Sequence, residues 1–357
     1  MPARRWLKRI GLGVVGVAAA TMIVGSGYEA FERRQAASAY PPTGRLVDIG
    51  GRRMHIDCRG SGSPTVIFEA GLTLSGSLSW SKVFGPVASF TRACVYDRAG
   101  ILWSDPKSGP QDAAAISRDL QATLDAADVT GPLVLVAHSI GGPYATVFTQ
   151  DHGDRVAGLV FVDTSHPDQI ARFRRVTGAD THPRTMVPTM KAIAAWSWMG
   201  AVRLAVGGKE PPQGPPAIVA ETTALSHRSI TGAIAELEGF DRTMARAGAV
   251  RTLGNRPLFV LTGVAPYSPE ILKDMKLNPQ QGVRFQAELK ALHDDQASWS
   301  TRSWHRVLTD ANHYVQIDRP DAVIDATRRV VELVRRGAAT AQRTSTPGSG
   351  NSARAPR

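Results

Sequence analysis

The chain has 357 residues, enough for one large domain or two modest ones. Its composition is globular, 43% hydrophobic and 20% charged, which sets it apart from chains too polar to bury a core. The net charge of +11 is concentrated at the two ends. Arg4, Arg5, Lys8, Arg9, Arg33 and Arg34 face only Glu29 and Glu32 in residues 1–40, and residues 335–357 carry five arginines and no acid. The body between them is nearly neutral, so the charge gives no support to a nucleic-acid groove.

The N-terminal basic cluster is followed by an uncharged run, Ile10 to Gly27, I-G-L-G-V-V-G-V-A-A-A-T-M-I-V-G-S-G. At 18 residues it sits at the short end of a membrane-spanning helix. Two readings compete: a retained signal anchor, and a signal peptide cleaved at the A-x-A of Ala18 and Ala20. The anchor is favoured because the apolar run continues past that site. Positive charge before the run puts the N-terminus in the cytoplasm and the body outside. The expectation is a single-pass protein of the inner (cytoplasmic) membrane with a periplasmic or extracellular domain, or else a secreted one. Residues 1–35 are assigned to this segment and the start of a polar linker (28–43), 36–336 to the folded domain, and 337–357 to a disordered basic tail.

Further along, Arg45–Asp48 and Arg53–Cys58 read as a hairpin around Gly50-Gly51. Pro64–Glu69 is a continuous apolar run, hence a buried strand. Trp80–Phe90 has helical spacing, and Thr91–Tyr96 is a further strand. Ala113–Ala127 has helical spacing. Leu133 to Gly142 then reads L-V-L-V-A-H-S-I-G-G: an apolar strand that stops at Ser139, with a helix from about Pro143 to Gln150. Small residues at Ala137 and Gly141 suit a sharp strand-to-helix turn presenting the serine hydroxyl. Val156–Val162 is the next strand. Residues of about 167–254 break the alternation and read as a helical insertion. Arg256–Thr262 and His305–Thr309 resume the sheet, and Asp321–Val334 closes the fold as an amphipathic helix. The pattern predicts an α/β architecture, a mostly parallel sheet covered on both faces.

A serine nucleophile needs a base and an acid that orients the base. Among nine histidines, only His313 lies in a short loop between the last strand and the last helix. Asp163 ends the strand after the serine strand. The chain order Ser139, Asp163, His313 fits this architecture. Glu270 and Asp274 are the rival acids. His138 reads as a packing residue, and His166 as either packing or pocket lining. Asp97-Arg98 reads as an ion pair fixing its loop, and Trp196, Trp198 and Met199 as core of the insertion. No metal-ligand spacing is present, and no metal or organic cofactor is implied.

From Leu46 to Val334 the chain resembles the α/β-hydrolase fold superfamily, in its lidded bacterial esterase and lipase-like branch. The resemblance rests on E-A-G-L-T after the third strand, Y-D-R-A-G-I-L-W-S-D from Tyr96 to Asp105, A-H-S-I-G-G around Ser139, V-D-T-S-H-P, and A-N-H-Y-V-Q-I-D-R-P from Ala311 to Pro320. It implies an eight-stranded, mostly parallel sheet with a helical lid at about 167–254. It also implies an oxyanion hole from the backbone N–H groups of Ile140 and, by position, Leu72. Most relatives carry the acid after the seventh strand, where this chain has Leu261-Thr262-Gly263-Val264-Ala265-Pro266. Leu102 and Asn312 stand where relatives often have glycine. In this fold the second strand runs antiparallel to the fourth, so Cys58 and Cys94 come within reach of a disulfide. The implied activity is hydrolysis of a small, apolar carboxylic ester by Ser139, with His313 as base and Asp163 as orienting acid. The alternatives are lactone, thioester or amide cleavage with the same residues, or a catalytically silent anchored binding domain. Epoxide hydrolase and haloalkane dehalogenase chemistry would need a carboxylate where Ser139 stands.

Overall fold

The computed structural model describes residues 2–178, 180–212 and 214–345. Eight strands form one sheet among the described residues: β1 (Arg45–Asp48), β2 (Arg53–Arg59), β3 (Thr65–Glu69), β4 (Ala93–Tyr96), β5 (Leu133–His138), β6 (Val156–Val162), β7 (Leu258–Gly263) and β8 (Ser303–Leu308). Their order is β1-β2-β4-β3-β5-β6-β7-β8. The β1–β2 and β2–β4 pairs are antiparallel, and every other pair is parallel.

The helices are α1 (Pro2–Ala39), α2 (Phe84–Ala88), α3 (Ala113–Ala126), α4 (Gly141–Asp151), α5 (Gln169–Thr177), α6 (Val187–Ala195), α7 (Ala201–Val206), α8 (Pro216–Gly248), α9 (Pro269–Asp274), α10 (Pro279–Ser298), α11 (Val315–Asp318) and α12 (Pro320–Ser345). The segment expected as a helical insertion holds α5 to α8. Trp80–Phe90, expected as one helix, is a 3-10 turn at Gly76–Trp80 followed by the short α2.

The apolar run of β5 divides by the period of two that a strand imposes. Leu133, Leu135 and Ala137 join Leu159, Phe161, Leu120, Leu124 and Phe148 on the face covered by α3 and α4. Val134 and Val136 join Val160, Val162, Trp80, Val323, Val330 and Val331 on the face covered by α12. Each Val, Leu or Phe side chain among them contributes roughly 1.5–3 kcal/mol on burial. Two filled faces explain why these strands read as unbroken apolar runs rather than alternating ones.

Two expectations about the ends are corrected. Residues 28–39 are not a linker: α1 runs unbroken to Ala39, because nothing before Pro41-Pro42 stops a helix. Over Trp6–Ala39 this helix is long and apolar enough to cross a membrane, and its apolar window is unburied. At the other end α12 continues to Ser345, so the tail assigned from Gly337 is helical for its first residues. Residues 346–357 of that tail lie outside the described residues.

Cys58 and Cys94 face each other in the β2–β4 register with Cα atoms 4.1 Å apart, and a disulfide joins them.

Candidate active site

Strand register assembles the site. Glu69 pairs with Ala137 and His138 with Val162, so the chain leaving β3 lies beside Ser139, and Asp163 lies on its other flank. Leu261 pairs with Val162, and Gly263 with Leu308, which brings the loop after β8 alongside. All of these are C-terminal ends of parallel strands. Next to β3 and β5 the strand order reverses, the place where open α/β sheets leave a crevice.

Ser139 occupies the left-handed region at φ 54°. That is a costly conformation for a residue with a side chain, and it persists because the neighbours over-determine it. The Ser139 N–H donates to Val162 O at 3.4 Å, while its carbonyl accepts from the Ser165 N–H at 2.8 Å and the Gly142 N–H at 3.0 Å. The turn leaves no room for a side chain at Gly141, where a Cβ would lie 2.6 Å from Glu69 O. Gly71 is equally confined, since a Cβ there would lie 2.9 Å from Ser139 Cβ.

The structure brings Ser139, His313 and Asp163 together. Asp163 is a carboxylate and can only accept, so His313 Nδ1 carries the proton and donates to Asp163 Oδ2 at 2.7 Å. His313 Nε2 is left as the acceptor for the Ser139 hydroxyl at 3.0 Å. The His313 side chain is 48% exposed, whereas that of Asp163 is 1% exposed. Burial raises the Asp163 carboxyl. The His313 hydrogen bond, the nearby His293 and the Gly263 N–H outweigh burial and hold it below the usual carboxylate range. Asp163 itself has a positive φ of 45°. Its Oδ1 accepts from the Gly263 N–H at 2.8 Å, so the end of β7 supplies a donor where relatives supply the acid. Glu270 is not part of this group. It is exposed in the first turn of α9, where its own N–H and the Ser268 hydroxyl lower its pKa. Asp274 is likewise exposed, at the end of α9.

Ile140 is buried and is the N-cap of α4, where the first N–H groups have no intrahelical acceptor. Leu72 follows Gly71 on the loop against Ser139. The two backbone donors expected from the sequence thus sit on segments that adjoin the serine.

Other expectations change. Arg98 does not pair with Asp97. Its buried guanidinium donates to Glu69 at 2.7 Å, to both carboxylate oxygens of Glu236 on α8 at 2.8 Å, and to the carbonyls of Ala70 and Gly71 at 2.7 Å. It therefore fixes the backbone just before Leu72 and ties α8 of the insertion to the sheet. Asp97 instead accepts from the Ser77 N–H and bonds His55 Nδ1, both at 2.8 Å. Leu102 keeps the backbone of the glycine it replaces, at φ 43°, with its N–H donating to Ser229 Oγ at 3.0 Å. Asn312 is outside the positive-φ region, so no left-handed backbone is required there. His138 is buried, and its Nε2–H donates to the His313 carbonyl at 2.8 Å. Burial, then the neighbouring His313, lowers its pKa to about 3, so it stays neutral and holds the His313 loop. His166 is also buried, bonded to Asp295 at 2.9 Å beneath Trp299. Trp196 and Trp198 are not core: they are 52% and 43% exposed.

One residue near the site escapes sequence reasoning. Glu210, from the Gly/Pro-rich part of the insertion, accepts a hydrogen bond from the Thr73 hydroxyl, one residue past Leu72. Thr73 also bonds Ser75 Oγ at 2.6 Å. Burial raises the Glu210 carboxyl above its ordinary value. The only sequence signal was a lone acid in G-G-K-E-P-P. A cavity of about 890 Å³ lies between α1 and the insertion, lined by Tyr40, Arg203, Lys209 and Pro211 but by none of the three clustered residues. Among the described residues, no group of three or more His, Cys, Asp or Glu side chains could hold a metal ion.

The family model of the α/β hydrolase fold matches residues 64–186. An esterase from Thermogutta terrifontis is similar in structure at TM-score 0.57 and 20% identity, over 81% of this chain and 97% of that one. A haloalkane dehalogenase from Sphingobium indicum is 32% identical over 123 residues, 33% of this chain and 41% of the relative. An uncharacterized protein of Schizosaccharomyces pombe is 49% identical over 73 residues, 20% of this chain and 14% of the relative. The chain thus spans less than half the length of these two curated relatives. With its strand order, its serine turn and a family model matching residues 64–186, the chain has the α/β-hydrolase fold.

Proposed function

We propose that the protein is a serine hydrolase that cleaves carboxylic esters. The observation that carries this reading is the continuous hydrogen-bond chain from the Ser139 hydroxyl through His313 to Asp163. In the proposed reaction His313 Nε2 takes the Ser139 proton as Oγ attacks the ester carbonyl. The developing oxyanion is met by the N–H groups of Leu72 and Ile140; losing one such donor typically costs about 2.7–4 kcal/mol in the barrier. The imidazolium returns its proton to the leaving alcohol, and Asp163 stabilises that charge while fixing the ring tautomer. Water activated by His313 then releases the acid from the acyl enzyme.

The similarity to a dehalogenase covers a third of the chain and does not favour that chemistry, because Ser139 stands where a carboxylate nucleophile would be needed. An apolar substrate is supported by the apolar character of the insertion beside the site. The unburied apolar helix α1, with basic residues before it, supports a single-pass anchor with the folded domain outside the cytoplasm.

A panel of p-nitrophenyl esters of increasing acyl length tests the reading. Hydrolysis by the wild type and its loss in Ser139→Ala are expected. Equal rates in the two proteins would overturn it.

A further inference from the structure

Two lengths of the single helix α1 meet different surroundings. Its first part carries the large side chains Trp6, Leu12, Val14, Val15, Val17 and Ile23 into the open. Its later part, from Gly25 onward, is docked on the insertion. Glu29 is buried, accepting from Arg33 Nε at 2.8 Å and from Arg203 Nε at 3.2 Å. Arg33 also donates to the carbonyl of Ser197 at 2.6 Å, Ala36 is buried, and Trp103 Nε1 donates to Tyr40 O at 3.2 Å.

The docking begins inside the apolar run. A Cβ on Gly25 would lie 3.2 Å from Met199 Cε, and Gly25 precedes the end of the uncharged stretch at Gly27. With a rise of about 1.5 Å per residue, the turn at Ser197–Met199 is held within about 3 Å of that end. At this level the insertion turns Trp196 and Trp198 outward, their rings stacked 6.0 Å apart at 27°. Leu204, five residues beyond Met199, is 80% exposed. Tyr28 and Phe31 are exposed on α1 at the same height. Aromatic residues with an apolar body and a polar edge concentrate at membrane–water boundaries. Contiguous exposed apolar surface of this kind marks a site that something covers.

We propose that the insertion segment around Trp196, Trp198 and Leu204 lies in the interfacial layer of the lipid bilayer that α1 crosses. This rests on the reading of α1 as a membrane span. The occupant is the bilayer because the patch is continuous with α1 and locked to it by Glu29, Arg33 and Arg203 at the end of its apolar run. If α1 spans, the clamp leaves this segment no other height.

The test uses the full chain reconstituted in phosphatidylethanolamine/phosphatidylglycerol vesicles. Single cysteines replace Val14, Trp198, Leu204 or Ser89 and carry an environment-sensitive fluorophore; the native cysteines are paired with each other. Ser89 lies just before β4, at the opposite edge of the sheet from the insertion. The label at 198 and 204 is expected to shift to the blue and lose most of its emission to lipids with a nitroxide near the headgroup. The label at 14 responds to a nitroxide deep in the chains, and the label at 89 to neither. If position 14 is quenched while 198 and 204 behave like 89, the inference fails and the span stands. If position 14 is not quenched, span and inference fall together. Protection of 198 and 204 without lipid quenching, in a protein that is dimeric in detergent, would assign the patch to a second copy and overturn the inference.

Discussion

His313 Nδ1 donates to Asp163 Oδ2 at 2.7 Å, although Asp163 directly follows β6 and the residues after β7 offer no acid there. The Gly263 N–H at the end of β7 donates to the other oxygen of Asp163, so this carboxylate is held from two sides. Asp163→Asn is therefore expected to lower kcat by about 10⁴, the scale set by losing the correct imidazole tautomer. Glu270→Gln, at an exposed position on α9, is expected to leave kcat unchanged. Steady-state kinetics on a short-chain p-nitrophenyl ester separates the two. Full activity in Asp163→Asn would show that Asp163 does not orient His313.

Arg98 is the buried junction between the sheet, the Gly71–Leu72 loop and α8. Replacing it with Met leaves Glu69 and Glu236 buried without their cation. Breaking a buried pair in this way costs about 3–5 kcal/mol. Urea unfolding of Arg98→Met is expected to show a loss of that size. A midpoint equal to wild type would mean that the carboxylates are satisfied in some other way.

The Cys58–Cys94 disulfide closes a loop of 36 residues between adjacent antiparallel strands. Cys58→Ser/Cys94→Ser is expected to lower stability by about 2–4 kcal/mol. Both cysteines lie on β2 and β4, away from the Ser139 turn, so the ester rate per folded molecule should persist. Thermal unfolding with a parallel activity assay reads both effects.

Acid should weaken the fold before it protonates Asp163. His138 and His293 are buried, and desolvation lowers the pKa of both, His138 to about 3. A histidine in the unfolded chain titrates near 6.5. Between the folded and unfolded values the unfolded chain binds more protons, so stability falls as pH falls below about 6.5. Asp163, with its lowered pKa, adds its loss only at lower pH, below the unfolded aspartate value of about 3.9. The melting temperature is expected to drop steadily from pH 7 to pH 5. A flat profile over that range would contradict the neutral, buried state of these histidines.

The sheet was legible because its chemistry is local. The unbroken runs Thr65–Glu69, Leu133–His138 and Val156–Val162 have both faces buried, and Ser139 is announced by the small residues around it. Asp163 could be found because it directly follows a strand, and His313 because it lies in the short loop between the last strand and the closing helices. Long-range partners were not legible. The partners of Arg98 lie 29 and 138 residues away, and nothing local distinguishes them from a pairing with adjacent Asp97. Glu210 reaches Thr73 across 137 residues. The length of α1 is not legible locally, because polar residues 28–39 look like a linker until Glu29 and Arg33 find Arg203 and Ser197. For the same reason Trp196 and Trp198 read as core, since their sequence does not show which face the insertion turns outward.

In the proposed reaction Ser139 is a nucleophile activated by His313. Fluorophosphonate labelling of the folded protein, followed by peptide mass spectrometry, tests it most directly. One phosphonylated residue, Ser139, is expected, with labelling lost in Ser139→Ala and strongly slowed in His313→Ala. A folded protein that takes no label, or takes it on another residue, would show that Ser139 is not the activated nucleophile.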